Sequence, residues 1–444
     1  MVRRAYQQRS LVEVLLPDAD KLWDPTLRQI DQLLDDDVLV DRVSDALAQR
    51  HPQSRRRGRL GTPAAVVLRM LVLKHLHDWS FDECEREVRG SLVHRAFCRI
   101  DGERVPDAKT LIRLAQLLDD AVLKDVLARL VAVGRERRVI RGRRLRVDTT
   151  VVETNIHYPT DATLLADGVR MLTRTLRRVG EEVRERTRSI ARRVFEIAQR
   201  SRSAGSQARA AVREQSKAKM KELYQGLLRI TRAVLRHAEA TVRQGRHPRT
   251  AVLGPTIELV RRVVAQTRAR ILRGDTHYPN KVVSVFEPHT EIIRKGKLAR
   301  PTEFGRVVKI QEAEAQFITD DTVVERGQPD RALWEPTLDR HIALFDRAPA
   351  LAVADGNFAS RRNERAAQDR GVRHVVLPRQ AREARSRLAR AALRWRTGSE
   401  ARVSALKRRH GLRRCRYRGE RGMQRWVGLG VIANDLLVLG RAGP

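Results

Sequence analysis

The chain has 444 residues, with 90 Lys+Arg against 54 Asp+Glu, a net charge of +36 and a pI near 11.4. The length exceeds one ordinary domain, and the charge exceeds what solubility requires, so a polyanion such as nucleic acid is the expected partner. Three widely spaced cysteines (Cys84, Cys98, Cys415) form neither a zinc pattern nor a disulfide framework and fit a reducing, cytoplasmic compartment, and no stretch has the apolar length of a signal or a membrane span.

Residues 1–58 mix short helical patterns with an acidic patch at Asp35–Asp37 and end in a loop from Pro52 to Gly58. Ala65, Leu68, Met70, Leu71, Leu73 and Leu76 make a helix apolar on nearly every side, which requires burial all round. Ser80 with Glu83 three residues on reads as a capping box, and Asp107 reads as the cap of a further helix. Short helices with short turns over 62–132 suit a helix-turn-helix arrangement, so 1–134 is expected to be an all-helical N-terminal DNA-binding domain.

Residues 135–160 read as a basic linker running into a first strand at 145–153. From 161 the pattern turns helical. Leu165, Val169, Leu172, Leu176, Val179, Val183, Ile190, Val194 and Ile197 fall at near-heptad spacing. Ser201–Ser206 breaks this run, and helices over about 207–243 and 256–272 follow. A helical insertion over 161–275 is expected, its stripe buried on 207–243 or on a second copy of the chain. His157-Tyr158-Pro159 and His277-Tyr278-Pro279 echo each other near its two ends, by design or by chance.

From 281 the period changes to two. Val282–Phe286, Glu291–Arg294, Arg306–Gln311 and Ala315–Thr319 are strand candidates. A helix at 331–345, strand at 350–354, helix at 361–370, strand at 373–377 and helix through 400–408 follow. The apolar segment 422–439 is core, with helix and strand both open. This order is α/β. It matches an RNase H-like catalytic domain, completed by 276–444, whose first and second strands are separated by the insertion.

Three carboxylates carry the chemistry. Asp148 ends the apolar run Leu-Arg-Val-Asp, Asp355 ends Leu-Ala-Val-Ala-Asp, and Glu400 lies in a helical stretch with Arg396 and Lys407 on roughly the same face. An acid ending an apolar strand is costly to bury unless a cation or hydrogen bonds compensate it. Plainer readings are a turn cap for Asp148, an Asp-Gly turn for Asp355 and a solvated charged helix for Glu400. Glu153 is a rival acid, and Gly398 is a point where the helix could end. Together the three acids suit two divalent ions, Mg2+ or Mn2+, held about 3.5–4 Å apart around one phosphate. Lys407, Arg408, Arg409, Arg413, Arg414, Arg416 and Arg418 follow directly, with Tyr417 among them, and should grip DNA phosphates alongside Arg396.

In these residues the chain resembles the DDE transposases of bacterial insertion sequences, most closely the ISNCY group. Arg396, Glu400 and Lys407 match in register a Tyr-x2-Arg-x3-Glu-x6-Lys signature, with Leu393 at the tyrosine position. Further matches are Asp148-Thr-Thr-Val-Val-Glu-Thr-Asn-Ile-His-Tyr-Pro, Glu303-Phe-Gly, Asp355-Gly-Asn-Phe and Lys407 to Gly419, while Gly356-Asn357 stands where relatives often carry Arg-Gly. The resemblance covers about residues 55–440. It implies Asp148, Asp355 and Glu400 as catalytic metal ligands, hydrolysis at the element end followed by attack of the freed 3′-OH on target DNA, and homo-oligomeric assembly on DNA near the nucleoid. A nuclease that does not join strands, and a decayed, non-catalytic DNA-binding relative, are the alternatives.

Overall fold

The computed structural model describes residues 1–4, 22–58, 60–183, 187–203, 210–245, 248–294, 301–378 and 386–443. It is mixed α/β and divides into two compact units, one made of Met1–Asn155 with Gly305–Pro444, the other of Ile156–Phe304. Residues 204–209 of the expected helix and break lie outside the described residues.

Among the described residues the first unit opens with seven helices: α1 (Pro25–Leu33), α2 (Asp37–Ala48), α3 (Ala64–Leu76), α4 (Phe81–Gly90), α5 (Leu92–Phe97), α6 (Ala108–Ala115) and α7 (Asp120–Glu136). Side-chain caps set the starts of all of these but α3, including the Ser80/Glu83 capping box and Asp107. In α3 every residue from Ala64 to His75 is buried, as its all-round apolar sequence requires. The cover comes partly from the far end of the chain. Helix α15 (Glu420–Ala442) packs on α1, α3 and α7, and Leu429, Ile432, Leu436 and Leu439 join the same core. The helices before the sheet therefore share a core with the last helix of the chain.

The sheet is mixed. Strand β1 (Arg144–Thr154) runs antiparallel to β3 (Thr302–Glu312) and parallel to β5 (Leu351–Val353). Strand β4 (Ile318–Val323) pairs with β3, β6 (His374–Val376) pairs with β5, and the short β7 (Arg414–Cys415) adds to β1. One face carries Leu145, Val147, Ala352 and Ala354 and is covered by α12 (Trp334–Phe345) and α13 (Arg361–Asp369) through Trp334, Leu338 and Ala367. The other face carries α14 (Arg387–Arg409), which meets Val353 and Val376 through Ala392, Leu393 and Trp395.

The second unit is a bundle of α8 (Asp161–Arg178), α9 (Thr187–Ser203), α10 (Ala210–Gln244) and α11 (Leu253–Arg273), followed by β2 (Glu291–Arg294). The near-heptad stripe of α8 packs on Leu223, Leu227 and Leu235 of α10 and on Ile257, Val260 and Val264 of α11. The first His-Tyr-Pro stands at the start of this unit, and the second lies inside it, after α11.

Two local expectations change, and one left open is settled. Val282–Phe286 is buried at its valines but is not a strand: the Gln266 amide side chain donates to the Val282 carbonyl at 2.9 Å and accepts from its N–H at 2.8 Å, taking the place of a neighbouring strand. Ala315 has φ 52° inside a 3₁₀ turn, so β4 begins only at Ile318. The Glu314 carboxylate in that turn accepts from the backbone N–H groups of Arg141, Gly142, Arg143 and Arg144 and fixes the entry to β1. Segment 422–439 is helix: it is buried on all sides, which removes the periodicity that separates helix from strand. Among the described residues no helix is long and apolar enough to cross a membrane.

Candidate active site

Strand register brings the first two acids together. Arg146 on β1 is level with Val353 on the parallel strand β5. The β1–β5 pairing ends at that pair; Asp355 stands two residues beyond it, capping the turn after β5, and its charge reaches Asp148 on β1. Side chains alternate along a strand, so both acids fall on the face of Arg146 and Val353, which is the face that α14 covers. Glu153 has the opposite parity and forms an ion pair with Arg414 at 3.2 Å. The rival acid is thus turned away from the pair.

Helix α14 lies along this face. The hydroxyl of Ser399 is 3.0 Å from Asp148 Oδ2 and 2.7 Å from the Arg396 carbonyl, and its single proton serves one of them at a time. The other carboxylate oxygen of Asp148 accepts from the Thr149 N–H at 2.8 Å. Asp355 caps the turn that follows it by accepting from the Gly356 N–H at 2.5 Å. Gly398 does not end the helix, which continues from Arg387 to Arg409. Glu400 follows Ser399 and is exposed. Among the described residues no three His, Cys, Asp or Glu side chains group closely enough to hold a metal ion. Asp148 is held under α14, Asp355 caps the turn after β5, and Glu400 is exposed on α14.

The electrostatics of Asp148 follow from this setting. Burial raises its carboxyl above the ordinary aspartate range; the Ser399 hydroxyl, the Thr149 N–H and the Arg396 cation oppose the rise, and the like charge of Asp355 adds to it. Two hard carboxylates that repel each other are the donor chemistry a divalent cation relieves.

The basic tract divides in two. Arg408, Arg409, Arg413 and Arg418 are exposed, and Arg396 and Lys407 are half-buried along α14. Arg414 is paired with Glu153, and Arg416 donates to the Asp78 carbonyl at 2.9 Å and its carboxylate at 3.0 Å. Tyr417 does not face a DNA backbone. It stacks on Phe81 with ring centres 5.4 Å apart and meets Trp426 edge-on at 4.9 Å, with the Lys74 ammonium 5.1 Å from its ring. Burial pushes Lys74 down to about 8, while the ring faces of Phe81, Tyr417 and Trp426 favour its charged form. The tract is stapled to the α3–α4 corner at its centre and exposes its arginines on either side.

Sequence reasoning missed Ser399 and Arg146. Gly398 was the available signal for both, since a glycine inside a charged helix marks a close approach as readily as an end.

Asp148 thus lies inside β1, not at its end as the sequence suggested, with α14 across it and a basic tract following that helix. Residues 13–117 match a family described as a transposase domain (DUF772). No curated protein and no solved structure matches the chain.

Proposed function

We propose that this protein is a DDE-type transposase that cuts DNA at the ends of an insertion sequence and joins those ends to target DNA. In this reading the sheet and α14 form an RNase H-like catalytic domain. Asp148, Asp355 and Glu400 are its acids, and the Ile156–Phe304 bundle is its insertion. The observation that carries the reading is Asp148, held by Ser399 of the helix that also bears Glu400, with the charge of Asp355 acting on it. The transposase-domain match over 13–117 supports it independently.

In this reading Asp148, Asp355 and Glu400, which do not form a closed ligand set in the free chain, would be drawn around two divalent ions, Mg2+ or Mn2+, which when bound would supply an activated water and stabilise the leaving oxygen. The remaining work falls to the chain. Ser399 and the Thr149 N–H hold Asp148 in one rotamer. Arg396 places a cation beside that charge. Arg408, Arg409, Arg413 and Arg418 present guanidinium groups to the phosphate backbone on both sides of the scissile bond. Hydrolysis breaks one P–O bond and frees a 3′-OH. In the second step that hydroxyl forms a P–O bond to target DNA as the target's own 3′-oxygen leaves, so no covalent protein–DNA intermediate arises. DNA acts as substrate and target, and two copies of the chain assembled on paired ends would account for coupled cutting.

Replacing Asp148 with Asn removes a ligand charge at almost unchanged volume. Cleavage of a labelled element-end duplex with Mg2+ is expected to fall below detection while a gel shift still shows binding. Normal cleavage by Asp148→Asn would sink the assignment. Cleavage without joining in the wild type would leave the nuclease reading, and binding without cleavage the decayed one.

A further inference from the structure

We propose that Arg146 is the positioning residue of this site: its guanidinium sets the level at which α14 crosses β1, and so where Glu400 stands relative to Asp148 and Asp355. The inference rests on the function proposed above for its reaction assay and on the fold alone for its geometry.

Arg146 and Glu312 are direct partners in the β1–β3 register. Their residues are 2% and 1% exposed, and Arg146 Nη2 donates to Glu312 Oε2 at 2.5 Å. The second arm of the fork leaves the sheet, as Nη1 donates to the Trp395 carbonyl inside α14 at 2.6 Å. The guanidinium carbon lies 5.0 Å from the centre of the Trp395 ring. Glycine is a poor residue for a helix interior, yet Gly398 sits in the middle of α14. A Cβ there would come within 2.6 Å of Arg146 Nη1, so the gap left by the missing side chain is the space the guanidinium uses.

The spacing ties this contact to the acids. From Trp395 to Ser399 the helix rises by roughly 6 Å, and from Arg146 to Asp148 the strand advances by roughly 6.6 Å. The Arg146–Trp395 and Asp148–Ser399 contacts therefore express one alignment of helix on strand, and a slide of α14 breaks both. Stability alone does not call for an arginine here, because a buried ion pair is often replaced by apolar residues without loss. A planar fork that reaches two acceptors in different elements is what an arginine provides and a lysine does not.

The test uses the full chain. Arg146→Lys should lower kcat for Mg2+-dependent cleavage by roughly 100-fold at unchanged KM for DNA, the loss expected of a displacement of about 1 Å. Gly398→Ala should act in the same direction by displacing the guanidinium, and adding Arg146→Ala to it should cause no further loss. Hydrogen exchange at the amides of residues 395–400 should quicken in Arg146→Lys, with the Mg2+ concentration for half-maximal thermal shift raised. Wild-type kcat and wild-type exchange in folded Arg146→Lys would overturn the proposal. If that variant fails to fold, the double variant Arg146→Met with Glu312→Leu keeps the core apolar without the fork, and wild-type kcat there would overturn it equally. If the wild-type chain does not cleave DNA, the proposed function fails instead. Exchange at 395–400 then decides the positioning role alone, and unchanged exchange in the variant refutes it.

Discussion

The two faces of β1 are built on opposite principles. Leu145 and Val147 point into a core of Trp334, Leu338, Phe358 and Ala367 that holds by area and shape. Arg146 and Asp148, alternating with them, point under α14 into contacts that hold by hydrogen bonds and charge. The first face tolerates approximate partners, because apolar contact has no direction. The second works only if each group meets a particular atom, because a buried polar group without a partner is costly. A strand can thus be anchored firmly on one side and present aligned acids on the other.

The contrast can be broken most severely on the apolar side. Trp334 is fully buried, and Trp334→Ala should cost about 3–5 kcal/mol in urea unfolding through the cavity it leaves. On the polar side, Arg146→Met should cost about 3 kcal/mol because it strands the Glu312 carboxylate, and adding Glu312→Leu should return most of that. Recovery of stability by the double change would show that the ion pair is not there for stability.

Acid should loosen the junction at the end of α14. His410 is 2% exposed, burial pushes it down to about 4, and its Nδ1 is 3.2 Å from the His75 carbonyl. The folded protein holds this ring neutral, whereas the unfolded chain protonates it below about pH 6.5. Its stabilisation is therefore complete above 6.5 and is lost as pH falls toward 4, a span worth roughly 3 kcal/mol. A series of thermal melts across that window should show the fall, and His410→Gln should lessen it, the rest coming from the buried His75, His77 and His341, which burial also holds below the usual histidine range. The smallest effect on stability is expected outside the core. Changing Arg408, Arg409, Arg413 and Arg418 to Gln should alter stability by less than about 0.5 kcal/mol. The same change should lower the slope of log affinity against log salt by about 3–4. An unchanged slope would place the DNA elsewhere.

Much of this site could be read from the chain because its parts are local. A carboxylate after a short apolar run signals a strand end, which holds for Asp355 just past β5 but not for Asp148, since β1 runs on to Thr154; Arg396 and Glu400 four residues apart share a helix face. The pairing of β1 with β5, level at Arg146 and Val353, spans about 200 residues of chain, which no local pattern encodes. Tyr417 among arginines looked like part of a phosphate grip, but its ring is claimed by Phe81 and Trp426 from distant helices. Val282–Phe286 had the composition of a strand, and only the amide of Gln266, supplied by α11, shows why it is not one. The all-apolar 422–439 stretch gave no period because every side of it is covered.

The insertion between β1 and β3 has a kinetic consequence. Glu153 and Gly305 are paired across the two strands, yet the chain travels about 150 residues between them. Closing an unfolded loop of that length costs roughly 3 kcal/mol more than closing a tight hairpin, so antiparallel zipping from a turn is not open to these strands. The bundle, rich in local helical contacts, should form first and bring its own ends together. The central pairing of the sheet, and with it the alignment of the acids, would then be among the last events of folding, and a bundle mutation would show as slow acquisition of activity long before it showed as lost stability.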